Sequence, residues 1–281
     1  MTSENRPVED LTVVVTGASS GIGLAAAEEL GRRGAHVVLL GRDPQRLAAA
    51  ADRVKAVSGA DVDSYRCDFG SLAQVREVGA TLRERYPRID VLANNAGGTI
   101  PKRRFTVDGF EETIQSNHLA PFLLSHELRE SLRGGLIINT SSRAHMQGRL
   151  NPDNLNGTGQ AYVPLMVYGS AKQANILFTV EATKRWPEIV SVAYHPGVVR
   201  TRFGHESAIY GFFYRWAPGL RSPERGARTL VWLATVDRSE LTPGGYYVDE
   251  KVRRPAPKAT DPDAAAALWN ASLTAVGAPT G

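Results

Sequence analysis

The chain has 281 residues, 42% of them hydrophobic and 22% charged, which excludes a disordered or collagen-like polymer and supplies enough chain to bury a core unaided. Lysine and arginine number 33 against 29 aspartates and glutamates, a net charge of +4 that is too balanced for a nucleic-acid binder without a basic stripe. The single cysteine, Cys67, excludes an internal disulfide and a four-cysteine zinc site, and the scattered histidines have no metal spacing. No metal and a reducing, cytoplasmic setting are therefore expected.

The opening MTSENRPVED is polar and lacks the apolar stretch of a signal peptide, so residues 1–9 read as a flexible tail. No run approaches the roughly 18 apolar residues of a membrane span, and none is expected. Strand-length runs then alternate with amphipathic helical stretches: LTVVVT (11–16), HVVLL (36–40), DSYRC (63–67), IDVLAN (89–94), LIINT (136–140), VSVAY (190–194) and, more weakly, Tyr246–Val248. That alternation predicts an α/β fold over 10–281: one domain, a Rossmann-type doubly wound parallel sheet with helices on both faces. Asp43-Pro44, Ser222-Pro223 and Asp261-Pro262 each place a capping side chain before a proline, and Ser71 to Gln74 reads as a capping box. Stretches 143–166 and 200–222 read as loops added at one edge.

The first strand runs into Thr16-Gly17-Ala18-Ser19-Ser20-Gly21-Ile22-Gly23 and then the helix LAAAEELGRRG. Strand, tight turn and helix in that order aim backbone N–H groups and a positive helix end at one point, which suits a pyrophosphate. Gly17 permits the turn, Gly21 admits the phosphate and Gly23 lets helix and strand approach; the plain alternative is a glycine-rich turn without a ligand. The second strand ends Leu39-Leu40-Gly41-Arg42, with no acid at its tip to hold a ribose 2′-hydroxyl. A guanidinium there can grip a 2′-phosphate, so NADP(H) is favoured over NAD, unless Arg42 is an ordinary surface arginine.

Together with this turn, Asn94-Asn95-Ala96-Gly97, Asn117, Ser142, Tyr168-x-x-x-Lys172 and His195-Pro196-Gly197 resemble the short-chain dehydrogenases/reductases in order and spacing, over about residues 10–250. NHLAPFLL (117–124), GGYYVDEK and LWNAS are similar to the retinol-dehydrogenase-type branch. That branch's animal members carry an N-terminal membrane anchor; none is expected here from the polar opening, so residence in a membrane is not carried over.

Physically, Tyr168 and Lys172 at i, i+4 share one helix face, and an ammonium beside a phenol lowers the phenol's pKa toward the working range. Tyr168 is then the general acid/base. The resemblance implies the rest. It aligns Ser142, rather than its neighbour Ser141, with the serine that fixes the carbonyl oxygen. It gives Lys172 the nicotinamide ribose hydroxyls and Asn117 a role in linking the lysine to solvent through water. Ser19, Ser20 and Ile22 join the glycines around the cofactor. Asp68 is expected at the adenine amino group, Asn94, Ala96 and Gly97 at the adenosine ribose, and Pro196, Gly197, Val199 and Thr201 around the nicotinamide. His195 reads as structural. Relatives pair through the helices carrying Asn117 and Tyr168, so a homo-oligomer is possible.

Residues 210–216, Tyr-Gly-Phe-Phe-Tyr-Arg-Trp, hold five aromatics, where the family places its substrate lid. Phe212, Phe213 and Trp216, with Tyr162 on the opposite wall, suggest a bulky apolar or aromatic carbonyl or alcohol: a retinoid-like or steroid-like molecule or a polycyclic ketone. Ordinary packing and shallow docking on a membrane surface are the competing readings of that segment. The expected activity is NADP(H)-dependent interconversion of a carbonyl and an alcohol; the alternative is a non-catalytic NADP-sensing module.

Overall fold

The computed structural model of the chain describes residues 7–199 and 220–279. Strands β1 (Thr12–Thr16), β2 (His36–Gly41), β3 (Asp63–Arg66), β4 (Val91–Asn94), β5 (Leu136–Thr140), β6 (Val190–His195), β7 (Tyr246–Val248) and β8 (Lys251–Arg253) form one sheet in the order β3-β2-β1-β4-β5-β6-β7-β8. The first seven run parallel, as the alternation predicts. The sheet departs from a purely parallel one at its edge, where β8 returns antiparallel on β7. Asp249 and Glu250 make the hairpin turn, both at positive φ (51° and 63°). All three β8 residues are exposed, so no buried apolar pattern marks the strand.

The helices are α1 (Gly21–Arg32), α2 (Pro44–Ser58), α3 (Leu72–Arg85), α4 (Glu112–Ile114), α5 (Ala120–Glu127), α6 (Pro164–Arg185), α7 (Pro223–Thr235) and α8 (Pro262–Val276), with a π-helical turn, Gln115–Leu119, joining α4 to α5. Alternating strand side chains feed opposite faces. Val13, Val15, Leu39 and Ile138 pack against α1, α2 and α7, whereas Val14, Val38, Leu92 and Ile137 pack against α3, α5 and α6. On the second face α8 lays Trp269 against Phe122 of α5 and Phe178 of α6, at centroid distances of 5.1 and 5.9 Å. Trp186, just past α6, closes this cluster at 4.9 Å from Trp269.

Side-chain caps set the helix starts. Asp43, Ser71, Ser222 and Asp261 accept N–H bonds from Arg46, Gln74, Arg225 and Ala264. The box at Ser71 is half made: the Gln74 side chain accepts the N–H of Asp68 instead of that of Ser71. Val8 and Glu9, expected within the tail, form a 3-10 turn with Asp10, and Val8 packs on the core. Among the described residues no helix is long and apolar enough to cross a membrane.

Candidate active site

Strand order reverses between β1 and β4, since the chain moves outward from β1 to β3 and then returns to lay β4 on the other side. Such a switch point opens a crevice at the carboxyl ends of the strands. The turn after β1, Asn95–Gly98 after β4, Ser141–Ser142 after β5 and Pro196–Val199 after β6 all emerge there.

The β1 side of the crevice is made of backbone. Gly17 has φ +67°, and a Cβ on it would lie 2.9 Å from Ala96 Cα; one on Gly23 would lie 2.5 Å from the Gly17 carbonyl oxygen. The loop after β4 is thereby pressed onto the glycine turn. Thr16 seals the contact: its Oγ1 donates to the Ala93 carbonyl and accepts the N–H groups of Asn95 and Ala96 at 2.9 and 3.0 Å. Gly97, at φ +145°, leaves no room for a Cβ beside the Asn117 amide. Ser20 occupies the N-cap seat of α1 but makes no side-chain cap, unlike the caps of α2, α3, α7 and α8. The first N–H groups of α1 therefore remain available for an anion. Ser19, Ser20 and Gly21 border a cavity of about 210 Å³ that Arg46 and Arg53 also line. Gly41 packs beside Ser19, where a Cβ would lie 3.3 Å from that of the serine, so the exposed Arg42 stands next to the same turn. A bare N-terminus, a glycine cradle and a free guanidinium fit a phosphorylated dinucleotide.

The other side of the crevice is made of side chains. Tyr168 is 9% exposed and Lys172 is 2% exposed. They lie on one face of α6, with the lysine Nζ 5.3 Å from the phenol ring centroid. Lys172 Nζ donates to the Thr140 carbonyl at 3.1 Å, tying α6 to the end of β5. Burial lowers Lys172 to about 7, and an anion beside it would favour the protonated form at neutral pH. Ser141 and Ser142 diverge. Ser141 is buried, and its Oγ donates to the Lys172 carbonyl at 2.8 Å. Ser142 is half-buried, and its Oγ accepts the Ala144 N–H at 3.2 Å, which leaves its own proton to donate.

Other expected residues take different places. The Asn94 side chain turns into the sheet, where its Nδ2 donates to Ser125 Oγ and Asn139 Oδ1, both at 3.0 Å. It braces β4 against β5 and α5, so any approach of Asn94 to a ribose is left to its backbone. Asn117 sits in the π-helical turn and binds Gly98 twice, donating to its carbonyl and accepting its N–H. A π turn buried beside a reaction crevice is a common functional irregularity. Asp68 Oδ1 accepts the Gly70 N–H at 2.9 Å, which orients the carboxylate at the end of β3.

The Tyr162 hydroxyl lies 2.8 Å from the Ile100 carbonyl and 3.1 Å from Glu111 Oε1, and its ring lies under Arg103. This side chain is a strut between loops more than a free wall. Gly197, at φ +87°, makes room for Arg221, which pairs with Asp249. Val199 bridges to Arg221, and its side chain and that of Ile22 both press on Gly226, so Pro196–Val199 and the start of α1 meet the same point of α7. His195 is buried, and burial lowers it to about 4. Thr201, Phe212, Phe213 and Trp216 lie outside the described residues.

Sequence reasoning missed Thr16, Asn95 and Asn139, which brace the crevice, and His145. Thr16 and Asn95 stand inside the quoted motifs, which is the one signal that could have drawn notice.

The family model described as short chain dehydrogenase matches residues 11–208. A protein assigned as a daunorubicin C-13 ketoreductase, from Streptomyces sp. strain C5, is 52% identical over 266 residues, covering 95% of this chain and 92% of that one. Human retinol dehydrogenase 13 is 36% identical over 280 residues, covering 95% and 84%. An uncharacterized protein from Mycobacterium paratuberculosis matches in structure with a TM-score of 0.80 at 30% identity, over 100% of this chain and 99% of that one. A short-chain dehydrogenase from Sphingobium yanoikuyae, solved with NADPH, matches with a TM-score of 0.64 at 27% identity, over 79% and 84%. Motif order, strand order and these likenesses agree: the chain belongs to the short-chain dehydrogenase/reductase family, in its retinol-dehydrogenase-like branch, and is an oxidoreductase of that family.

Proposed function

We propose that this oxidoreductase uses NADP(H) to interconvert a ketone or aldehyde and its alcohol on a bulky apolar substrate, with a polycyclic aromatic ketone the first candidate. The observation that carries the reading is the pairing of Tyr168 and Lys172 on one buried face of α6, beside the Ser142 turn and across the crevice from the bare start of α1. When bound, NADPH supplies the hydride. Tyr168 gives its phenolic proton to the substrate oxygen as negative charge develops there. The Ser142 hydroxyl donates to the same oxygen and fixes it in line with the phenol. Lys172, in its protonated form, lowers the cost of leaving a phenolate behind, and its remaining N–H groups would hold the nicotinamide ribose. Arg42 would pair with the 2′-phosphate.

Two things support the substrate class. Met146, Val163, Leu165 and Val198 are large apolar side chains left exposed on the turns that border this corner (55, 43, 42 and 54%). The ketoreductase of strain C5 is named for a ketone of daunorubicin, and it shares half of this sequence over nearly its whole length. A cytoplasmic site of action goes with this reading, as does the buried, unpaired Cys67, whose thiol burial pushes up to about 12.

The test is loss of NADPH absorbance with daunorubicin, retinaldehyde, a steroid ketone and short aliphatic ketones. Turnover is expected with the bulky carbonyls, and Tyr168→Phe is expected to lose about 10²–10⁴-fold in kcat. Full turnover in that variant, or tight NADPH binding with no turnover across the panel, removes the acid–base reading. Arg42→Asp is expected to cut NADPH preference over NADH by about 10–100-fold. An unchanged ratio places 2′-phosphate recognition elsewhere.

A further inference from the structure

The turn that carries Ser142 holds a second buried group to which the proposed chemistry gives no part. His145 is 2% exposed, and both of its ring nitrogens have partners. Its Nδ1 lies 2.6 Å from the carbonyl oxygen of Ser142 itself, and its Nε2 lies 3.1 Å from the backbone nitrogen of Ala256. A backbone amide can only donate, so Nε2 is the acceptor and carries no proton. The single ring proton is therefore on Nδ1 and is donated to Ser142. Burial first, and then the nearby Lys258, hold the ring below the ordinary imidazole range, in keeping with a neutral tautomer.

The Ser142 carbonyl also accepts the backbone N–H of His145 at 3.0 Å, so one residue grips it twice. The Tyr246 ring stands edge-on to the imidazole, with centroids 5.2 Å apart. The same turn rests on α6 directly beside Tyr168. A Cβ on Gly169 would lie 2.5 Å from the Ala144 carbonyl oxygen, and one on Gly148 would lie 2.5 Å from that of Gly169. Glycine contacts thus set how close the turn approaches α6, while the imidazole sets its rotation and ties it to the segment after β8.

We propose that His145 is a positioning residue: as the Nδ1–H tautomer it fixes the Ser142 turn against Tyr168 and anchors that turn to Ala256. The proposal rests on the acid–base reading of Ser142 and Tyr168, and it makes the segment at 256 a distant part of the reaction corner. An error of about 1 Å at a reacting group can cost on the order of 10²-fold in rate. Loss of the imidazole should then act on kcat and leave cofactor affinity alone.

The experiment uses His145→Phe, which loses both bonds, and His145→Asn, whose amide can replace Nδ1–H but cannot reach Ala256. In His145→Phe, kcat should fall about 10–100-fold with the KM for NADPH within about twofold, and His145→Asn should recover most of the loss. Adding Ser142→Ala to His145→Phe should cost little beyond Ser142→Ala alone, because the two act as one unit. An unchanged kcat, an equal loss in KM for NADPH, or full additivity overturns the proposal. A nitrogen–proton correlation spectrum of ¹⁵N-histidine-labelled protein, assigned with His145→Asn, should place the proton on Nδ1. Hydrogen exchange at Ala256 should be slow in the parent and faster in both variants. A proton on Nε2, or equal exchange at Ala256, refutes the tautomer and the anchor even if no carbonyl is turned over, the outcome that would sink the functional reading separately.

Discussion

The two sides of the crevice are built by opposite means. Around β1 the surface is backbone, and its shape comes from side chains that are missing: Gly17, Gly23 and Gly97 each sit where one added carbon would strike a neighbour. Around α6 the surface is side chain, and its groups are held by bonds to backbone, Lys172 by the Thr140 carbonyl and Ser142 by the Ala144 N–H. The first side should therefore fail when atoms are added, and the second when atoms are removed.

The sharpest test of that contrast is the serine pair. Ser142→Ala is expected to lower kcat by about 10²–10³-fold, since one donor to the substrate oxygen is lost, with only a small drop in melting temperature from the lost bond to the Ala144 N–H. Ser141→Ala should do the reverse: about 1 kcal/mol of stability lost as the buried Lys172 carbonyl keeps only its helical donor, and kcat little changed. If kinetics and thermal melts find the twins alike, the contrast breaks. Next is Gly23→Ala, whose Cβ would press on the Gly17 carbonyl and the Asn95 amide. Overpacking of about 1–3 kcal/mol is expected, read as roughly 10–100-fold weaker NADPH binding in a fluorescence titration.

The smallest effect concerns the imidazoles buried behind the acid–base corner. Burial lowers His118 and His195 to about 4 each. As pH falls below about 6.5, the unfolded chain takes up these protons and the folded one does not. Melting temperature should therefore decline as pH falls from about 6.5 to about 4 and lose this dependence below that. A flat profile across the window would mean these rings are already protonated in the folded protein.

The same contrast explains what the sequence discloses. A residue that must be glycine can be recognised singly, so the β1 turn and its place after a strand are readable, and so is the Tyr168–Lys172 face with its fixed helical spacing. Asn94 is a different case. Its motif is visible, but its partners Ser125 and Asn139 lie 31 and 45 residues away, and only the folded sheet reveals that the amide points inward. His145 is harder still, because its partner Ala256 stands beyond three further strands and carries no distinguishing side chain. The strand β8 is silent for a simpler reason: with both faces wet, it has no apolar alternation to display.

The seating of Trp269 on Phe122 and Phe178 bears on quaternary structure. Those two rings belong to α5 and α6, the helices that the family resemblance implies as a pairing surface. Here the chain's own final helix already claims that outer surface, so a second copy docking there would first have to pry off an indole ring that is 4% exposed.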